Sequence, residues 1–272
     1  MVLPLNRRLE RVGLLGCGRM GAAIAGHLLD AGTPLAVYDP VPAACAPLAA
    51  RGAAACASAA EAAARSDLVL VVVVDDDQTR EAVGACLRAA RPGSVVAICA
   101  SVRPGTCREL AAAGAKRGVD VVDAALVRGE RGAEEGRLAL FCGGPPEVVD
   151  ALRAAVAPFA ADVVRVGDVG AGQAAKTANN VLLWACLRAD VEALRLGRAL
   201  GVEPAALREA LALGSGANRP LEEWGRHRLR WPQKDLEVAL ALAADTGVET
   251  PLLAALPELL SQLSVQDLAD LA

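Results

Sequence analysis

Over the first two-thirds of the chain, apolar residues come in short blocks, and the blocks alternate with stretches of helical periodicity. Residues 11–16, 35–38, 68–74, 95–98 and 119–122 read as strands. The unbroken apolar run at 68–74 suits a strand covered on both faces, as in a parallel sheet. Between these blocks, residues 20–31, 79–90 and 106–117 read as helices, and the Ala-rich stretch 42–64 as one or two more, split near Arg51 and Gly52. Residues 138–142 and 163–166 add strands on either side of a helix at 146–159. The alternation of the first five blocks implies βαβ units, whose right-handed crossovers align those strands in parallel.

The pattern changes after residue 166. From Ala171 to about residue 200 there is no proline and there are few breakers, which predicts one helix of roughly 45 Å. A helix of that length suits a connection to a second, helical domain. Gly201, Gly214, Gly216, Pro220 and Gly247 then punctuate the remainder.

Composition narrows the picture. Of 272 residues 54% are hydrophobic, and the abundance of Ala favours helix. The net charge is −4, from 28 basic and 32 acidic residues without a basic patch, which argues against a nucleic-acid partner. Arg7, Arg8 and Arg11 read as solvent-facing. The 68–74 run falls short of the roughly 20 apolar residues a membrane helix needs, and no secretory leader precedes the first strand, so neither membrane nor export is expected. Eight cysteines without a CxxC pair suggest neither a disulfide scaffold nor a zinc site, and a reduced, cytoplasmic setting is expected.

The first chemical signal lies between the opening strand and helix, where Gly16, Cys17, Gly18, Arg19, Met20 and Gly21 form a GxGxxG turn. Such a turn brings backbone amides at a helix start close to a pyrophosphate. Asp39 falls 23 residues after Gly16, just past the second strand, where its carboxylate can accept both adenosine-ribose hydroxyls and repels a 2′-phosphate. A Rossmann domain that binds NAD in preference to NADP is therefore expected over 1–167, followed by the linking helix and an all-helical substrate and oligomerisation domain over 168–272. The plainer alternative is that the glycines only turn the chain and Asp39 caps the next helix. Asp75, Asp76 and Asp77 are either the nicotinamide edge or a helix cap. Ser101, beyond the fourth strand, is a candidate cofactor contact.

The second signal is Lys176 and Asn180, which share one face of the long helix at a spacing of four. There an amine could exchange a proton with a substrate oxygen while an amide orients it. The spacing alone also fits a solvated surface pair. His27 reads as structural and His227 lies in an Arg-rich segment; neither suggests a metal.

Taken in order, GCGRMG at 16–21, ASVRPGT at 100–106, DAALVRG at 123–129, GAGQAAKTANN at 170–180 and KDL at 234–236 resemble the beta-hydroxyacid dehydrogenase family. That family includes 3-hydroxyisobutyrate dehydrogenase and is related to 6-phosphogluconate dehydrogenase. The resemblance implies that Lys176 is the acid/base group, that Asn180 binds substrate and that Lys234 lies near the cofactor and substrate. It also implies a homodimer or homotetramer and reversible NAD(P)-dependent oxidation of a small 3-hydroxy acid to its semialdehyde or keto acid. Two departures stand out. The usual DAPVSGG loop carries Val127 in place of its serine and Arg128 in place of its first glycine, leaving Gly129, and Ala100 with Ser101 replaces a serine-threonine pair. Val127 has no hydroxyl to offer, whereas the planar fork of Arg128 matches a carboxylate and either clamps the substrate anion or points to solvent. Imine reduction, for which related enzymes use another residue at the Lys176 position, and a catalytically silent NAD(H)-binding role are the rival readings.

Overall fold

In the computed structural model, residues 8–226, 229 and 232–272 are described. The strands are β1 (Val12–Leu15), β2 (Leu35–Tyr38), β3 (Ala54–Ala55), β4 (Leu68–Val71), β5 (Val95–Ile98), β6 (Asp120–Val127), β7 (Leu138–Gly143) and β8 (Ala160–Gly167). Among them run α1 (Arg19–Asp30), α2 (Pro42–Ala50), α3 (Ala59–Ala64), α4 (Asp76–Ala89), α5 (Pro104–Ala115), α6 (Gly129–Glu134) and α7 (Pro146–Val156). After them come α8 (Ala171–Ala199), α9 (Pro204–Leu211), α10 (Arg219–Glu222), α11 (Pro232–Thr246), α12 (Pro251–Ser261) and α13 (Val265–Ala269). The chain forms two compact units, one running to Lys176 and the other from Thr177 to Ala272.

The first unit is a Rossmann α/β domain with strand order β3-β2-β1-β4-β5-β6-β7-β8. Successive side chains of β1 point to opposite faces: Leu14 enters one apolar core with Ile24, Leu28 and Leu70, and Leu15 enters the other with Val69, Val83 and Ile98. Helices therefore cover both faces, which explains why these strands are apolar without interruption. The parallel order expected of the first five strands holds for β1, β2, β4, β5 and β6, whereas β7 pairs in parallel with β8 and runs antiparallel to β6. The short α6 makes this connection, too brief for a crossover that would return the chain in parallel.

Boundaries also move. The strand expected at 119–122 continues to Val127, that expected at 68–74 stops at Val71, and β3 and α6 carry no periodic signal because they are two and six residues long. Arg11 is exposed, as expected, and joins Arg91 on Asp67, at 2.8 and 2.9 Å. The Arg11 hydrogen bond is the main reason the Asp67 carboxyl lies below its ordinary range.

The second unit is helical, as expected. Trp184, Leu187, Val191 and Leu194 form one seam of α8 and pack with Leu221, Leu236, Leu256, Leu260 and Leu268. Among the described residues no helix is long and apolar enough to cross a membrane.

Candidate functional site

The GxGxxG turn is built from backbone. Gly16 has φ +96°, and a Cβ there would lie 2.2 Å from the Val72 carbonyl oxygen; one on Gly21 would lie 1.8 Å from the Gly16 oxygen. Both positions thus require glycine to pack β1, α1 and β4 together. Gly18 differs, since a Cβ there would meet nothing within 4 Å. Gly18 is the N-cap of α1 without a side-chain cap, so open space lies beside the start of a 12-residue helix, as a pyrophosphate requires.

Asp39 closes the turn. Its Oδ2 accepts the Cys17 N–H at 2.8 Å and its Oδ1 accepts the Val41 N–H at 2.8 Å. Each carboxylate oxygen can take a second donor, so both ribose hydroxyls can be accommodated. The residues present therefore fit a nicotinamide dinucleotide. Cys17 points inward, its Sγ 3.6 Å from that of Cys45, and burial pushes its thiol above the ordinary range. Arg19 is an exposed partner of Glu130 at 3.6 Å, and Met20 packs partly against the core.

At the other end of the unit, the first turn of α8 is fastened to β6 by a buried carboxylate that local sequence patterning did not single out. Asp123 is fully buried; its Oδ1 accepts the Gly170 N–H at 2.6 Å and its Oδ2 accepts the Gln173 N–H at 2.9 Å. Burial pushes its carboxyl upward, and these backbone donors oppose that shift. Gln173, 1% exposed, donates through Nε2 to the Ala100 carbonyl at 2.7 Å and accepts the Val102 N–H at 3.2 Å. The contact is close because Gly172 faces β7: a Cβ there would lie 2.2 Å from the Phe141 oxygen. An acidic residue within an apolar strand was the one available clue to Asp123, and the distant partners of Gln173 left none.

One turn further, Lys176 is half-buried and its Nζ donates to the Leu126 carbonyl at 2.5 Å. The plain solvated surface pair is therefore not what α8 presents here. Asn180 follows on the same helix, in the second unit, and its Oδ1 accepts from Asn179 Nδ2 at 3.2 Å.

Leu126 leads into the loop of Val127, Arg128 and Gly129. Alternation along β6 puts Val127 on the same sheet face as Asp123. Arg128 occupies the left-handed region with φ +81°, the one non-glycine among the described residues with positive φ, followed by Gly129 at +61°. It thus keeps a backbone shape natural to glycine, at a cost of about 1–2 kcal/mol. Its guanidinium donates to the Arg137 carbonyl at 3.0 Å and pairs with Asp162 at 2.5 Å.

The remaining candidates are dispersed. Ser101 is exposed after β5, and Lys234 lies half-buried in the first turn of α11, in the second unit. Asp75 proves to be the N-cap of α4, accepting the Gln78 N–H at 2.9 Å, while Asp76 accepts from Arg103 N at 3.1 Å and from the Thr106 hydroxyl. His27 has the structural role expected, its Nε2 lying 3.0 Å from the Ala133 carbonyl at the end of α6. His227 lies outside the described residues.

Comparison with known proteins matches residues 11–167 to the NAD binding domain of 6-phosphogluconate dehydrogenase, and residues 170–272 to the NAD-binding domain of NADP-dependent 3-hydroxyisobutyrate dehydrogenase. The chain is 29% identical to 2-(hydroxymethyl)glutarate dehydrogenase of Eubacterium barkeri, over 90% of this chain and 86% of the relative. It is 31% identical to 3-hydroxyisobutyrate dehydrogenase of Pseudomonas aeruginosa, over 89% and 88%. Among solved structures, Mycobacterium tuberculosis 3-hydroxyisobutyrate dehydrogenase with L-serine aligns with a TM-score of 0.86 at 27% identity, covering 93% of each chain. Glycine turn, lysine-bearing helix and both matched regions together establish that this chain belongs to the beta-hydroxyacid dehydrogenase family, NAD(P)-dependent oxidoreductases related to 6-phosphogluconate dehydrogenase.

Proposed function

We propose that the chain is an NAD-preferring dehydrogenase that interconverts a small 3-hydroxy acid and its semialdehyde or keto acid, with Lys176 as the acid/base group. The observation that carries this reading is the Lys176 Nζ, held 2.5 Å from the Leu126 carbonyl immediately before the loop of Val127, Arg128 and Gly129. An ammonium has three N–H donors, and the carbonyl fixes the direction of one. The bound nicotinamide dinucleotide supplies a hydride acceptor or donor. In oxidation the neutral amine of Lys176 takes the hydroxyl proton from the substrate and becomes the ammonium; in reduction the ammonium returns that proton to the carbonyl oxygen. Asn180 orients that oxygen without changing charge. Gly18 and the start of α1 hold the pyrophosphate and Asp39 the adenosine ribose, which disfavours a 2′-phosphate. Ser101 and Lys234 complete the cofactor contacts in this reading.

The substrates named for the two curated relatives, like the L-serine bound in the solved structure, carry a hydroxyl on the carbon beta to a carboxylate. That chemistry supports a small anionic substrate here. With Val127 lacking a hydroxyl, recognition of the carboxylate falls to Arg128 and the backbone at Gly129. Arg128 must then exchange Asp162 for the substrate, an accessible exchange because both side chains are partly exposed, at 33% and 52%, and such pairs contribute under about 1 kcal/mol.

Self-association belongs to the same reading. Leu182, Cys186, Ala189, Ala193 and Leu196 along α8, and Leu200 just beyond its end, recur at alternating steps of four and three, and the three leucines are 64–76% exposed. This second seam fits a copy of the chain; light scattering that gives a monomer at micromolar concentration removes it.

The test is a screen with NAD and NADP against small hydroxy acids, semialdehydes and cyclic imines, followed by Lys176→Ala. NAD reduction with a hydroxy acid is expected, and the variant is expected to keep NAD binding while kcat falls roughly 10²–10⁴-fold. Turnover of imines alone favours an imine reductase, and cofactor binding without any turnover favours a silent NAD(H)-binding protein. Wild-type kcat in Lys176→Ala overturns the role of the lysine.

A further inference from the structure

We infer that Asp123, acting with Gln173, is a positioning residue for Lys176: it fixes the first turn of α8 on the sheet so that the amine lands on the Leu126 carbonyl. The inference rests on the acid/base role of Lys176 given above.

Three anchors hold this turn at the carboxyl end of the sheet, two of them to β6 and one to the segment beyond β5. Asp123, on β6, takes the Gly170 and Gln173 N–H groups at 2.6 and 2.9 Å. Gln173 bridges the Ala100 carbonyl and the Val102 N–H beyond β5, at 2.7 and 3.2 Å. Lys176 itself reaches the Leu126 carbonyl at 2.5 Å, three residues along β6 from Asp123. The first N–H groups of a helix have no partner within it, and a carboxylate there also meets the positive end of the helix dipole. With Gly170 and Gln173 tied down, the helix can neither slide nor rotate without breaking a buried hydrogen bond.

Packing leaves no slack for an alternative placement. A Cβ on Gly143 would lie 2.5 Å from Asp123 Oδ1, and one on Gly172 would lie 2.8 Å from Asp123 Oδ2. The carboxylate is thus enclosed by glycine backbone on both sides, at 0% exposure. An amide in its place keeps the shape but sets an NH2 group against a backbone N–H, so the turn must shift to relieve the contact. A displacement near 1 Å at a proton-transferring group costs on the order of 10²-fold in rate.

A fold-stabilising residue and a positioning residue differ in how their effects combine with loss of the lysine. The experiment is a double-mutant cycle of Asp123→Asn and Lys176→Ala, assayed by steady-state kinetics with the best hydroxy acid from the screen. Asp123→Asn alone is expected to lower kcat on the order of 10²-fold, with KM for NAD within about twofold of wild type. In the Lys176→Ala background, the same substitution is expected to cost nothing further in kcat. An equal loss in both backgrounds overturns the inference, as does wild-type kcat in Asp123→Asn. If Asp123→Asn does not fold, Gln173→Leu takes its place in the cycle, with the same two outcomes deciding. Unchanged turnover in Lys176→Ala sinks the acid/base reading itself, a result distinct from additivity.

Discussion

The glycine turn at β1–α1 and the first turn of α8 both start a helix at the carboxyl end of a sheet strand, but they are built from opposite materials. The first is backbone against backbone: Gly16 and Gly21 are packed so closely that neither tolerates a Cβ, and one side chain, Asp39, closes the loop through two nearby amides. The second is held by side chains that reach 47 to 73 residues along the chain, through the buried Asp123 and Gln173 and the half-buried Lys176. A site made of backbone tolerates variation in the side chains around it but none in the glycines. A site made of buried side chains concentrates its vulnerability in a few polar groups whose loss leaves partners unsatisfied.

The sharpest way to break this contrast is within the glycine turn itself. Gly21→Ala is expected to destabilise the first unit by about 3 kcal/mol and abolish NAD binding, because backbone must move to admit the methyl group. Gly18→Ala is expected to leave the melting temperature within about 1 °C while raising the Kd for NAD about tenfold, because the methyl fills space open to the pyrophosphate. Thermal melts and NAD titration check both, and equal destabilisation by the two substitutions would erase the distinction between packing and ligand-facing glycines.

A smaller effect is expected in the β6–α6 loop. Arg128→Gly removes the guanidinium but relieves a left-handed arginine, so KM for carboxylate substrates should rise about tenfold while stability stays level or rises by up to about 1 kcal/mol. KM measured on an anionic and a neutral substrate separates the roles: an equal KM for wild type and variant on the anion removes Arg128 from substrate recognition.

Least in size, Asp190, on α8 itself, provides a control for Asp123, the β6 carboxylate that holds the first turn of that helix. Asp190 is 6% exposed; its Oδ1 accepts from Asn218 Nδ2 at 2.8 Å, but its Oδ2 is the one buried side-chain polar atom among the described residues without a partner. Burial raises its carboxyl above the ordinary range, so the fold favours the protonated form. Stability contributed by this group is highest below the ordinary carboxylate range and declines as pH rises through the elevated folded value. Asp190→Asn is accordingly expected to stabilise the second unit at pH 8 by up to about 1 kcal/mol and to change little at pH 3, without altering kcat. Urea melts at the two pH values check the sign; destabilisation at pH 8 would refute it.

Legibility from sequence followed the same division. The GxGxxG turn, its aspartate and the 29-residue α8 were readable because each is set by residues near one another in the chain. Lys176 and Asn180 could be placed on one helix face, but the carbonyl that receives the lysine, 50 positions earlier, could not be read from spacing. Nor could the antiparallel turn into β7, which depends on α6 being six residues long and on Arg128 adopting a glycine-like φ of +81°. For Arg128, side-chain chemistry suggested a carboxylate partner, and folding supplied one from within the chain, Asp162.

The amino-acid sequence by itself determined the alternation of strand and helix, the glycine turn and the long helix that carries the amine. These follow from periodicity, glycine and local hydrogen-bond demand, which act over a few residues. Only the tertiary structure decided which carbonyl the amine meets, which carboxylate is buried beneath it and how Arg128 is engaged. Burial and pairing of a polar group depend on what other segments bring within 3 Å of it, and that proximity exists only once the sheet has assembled.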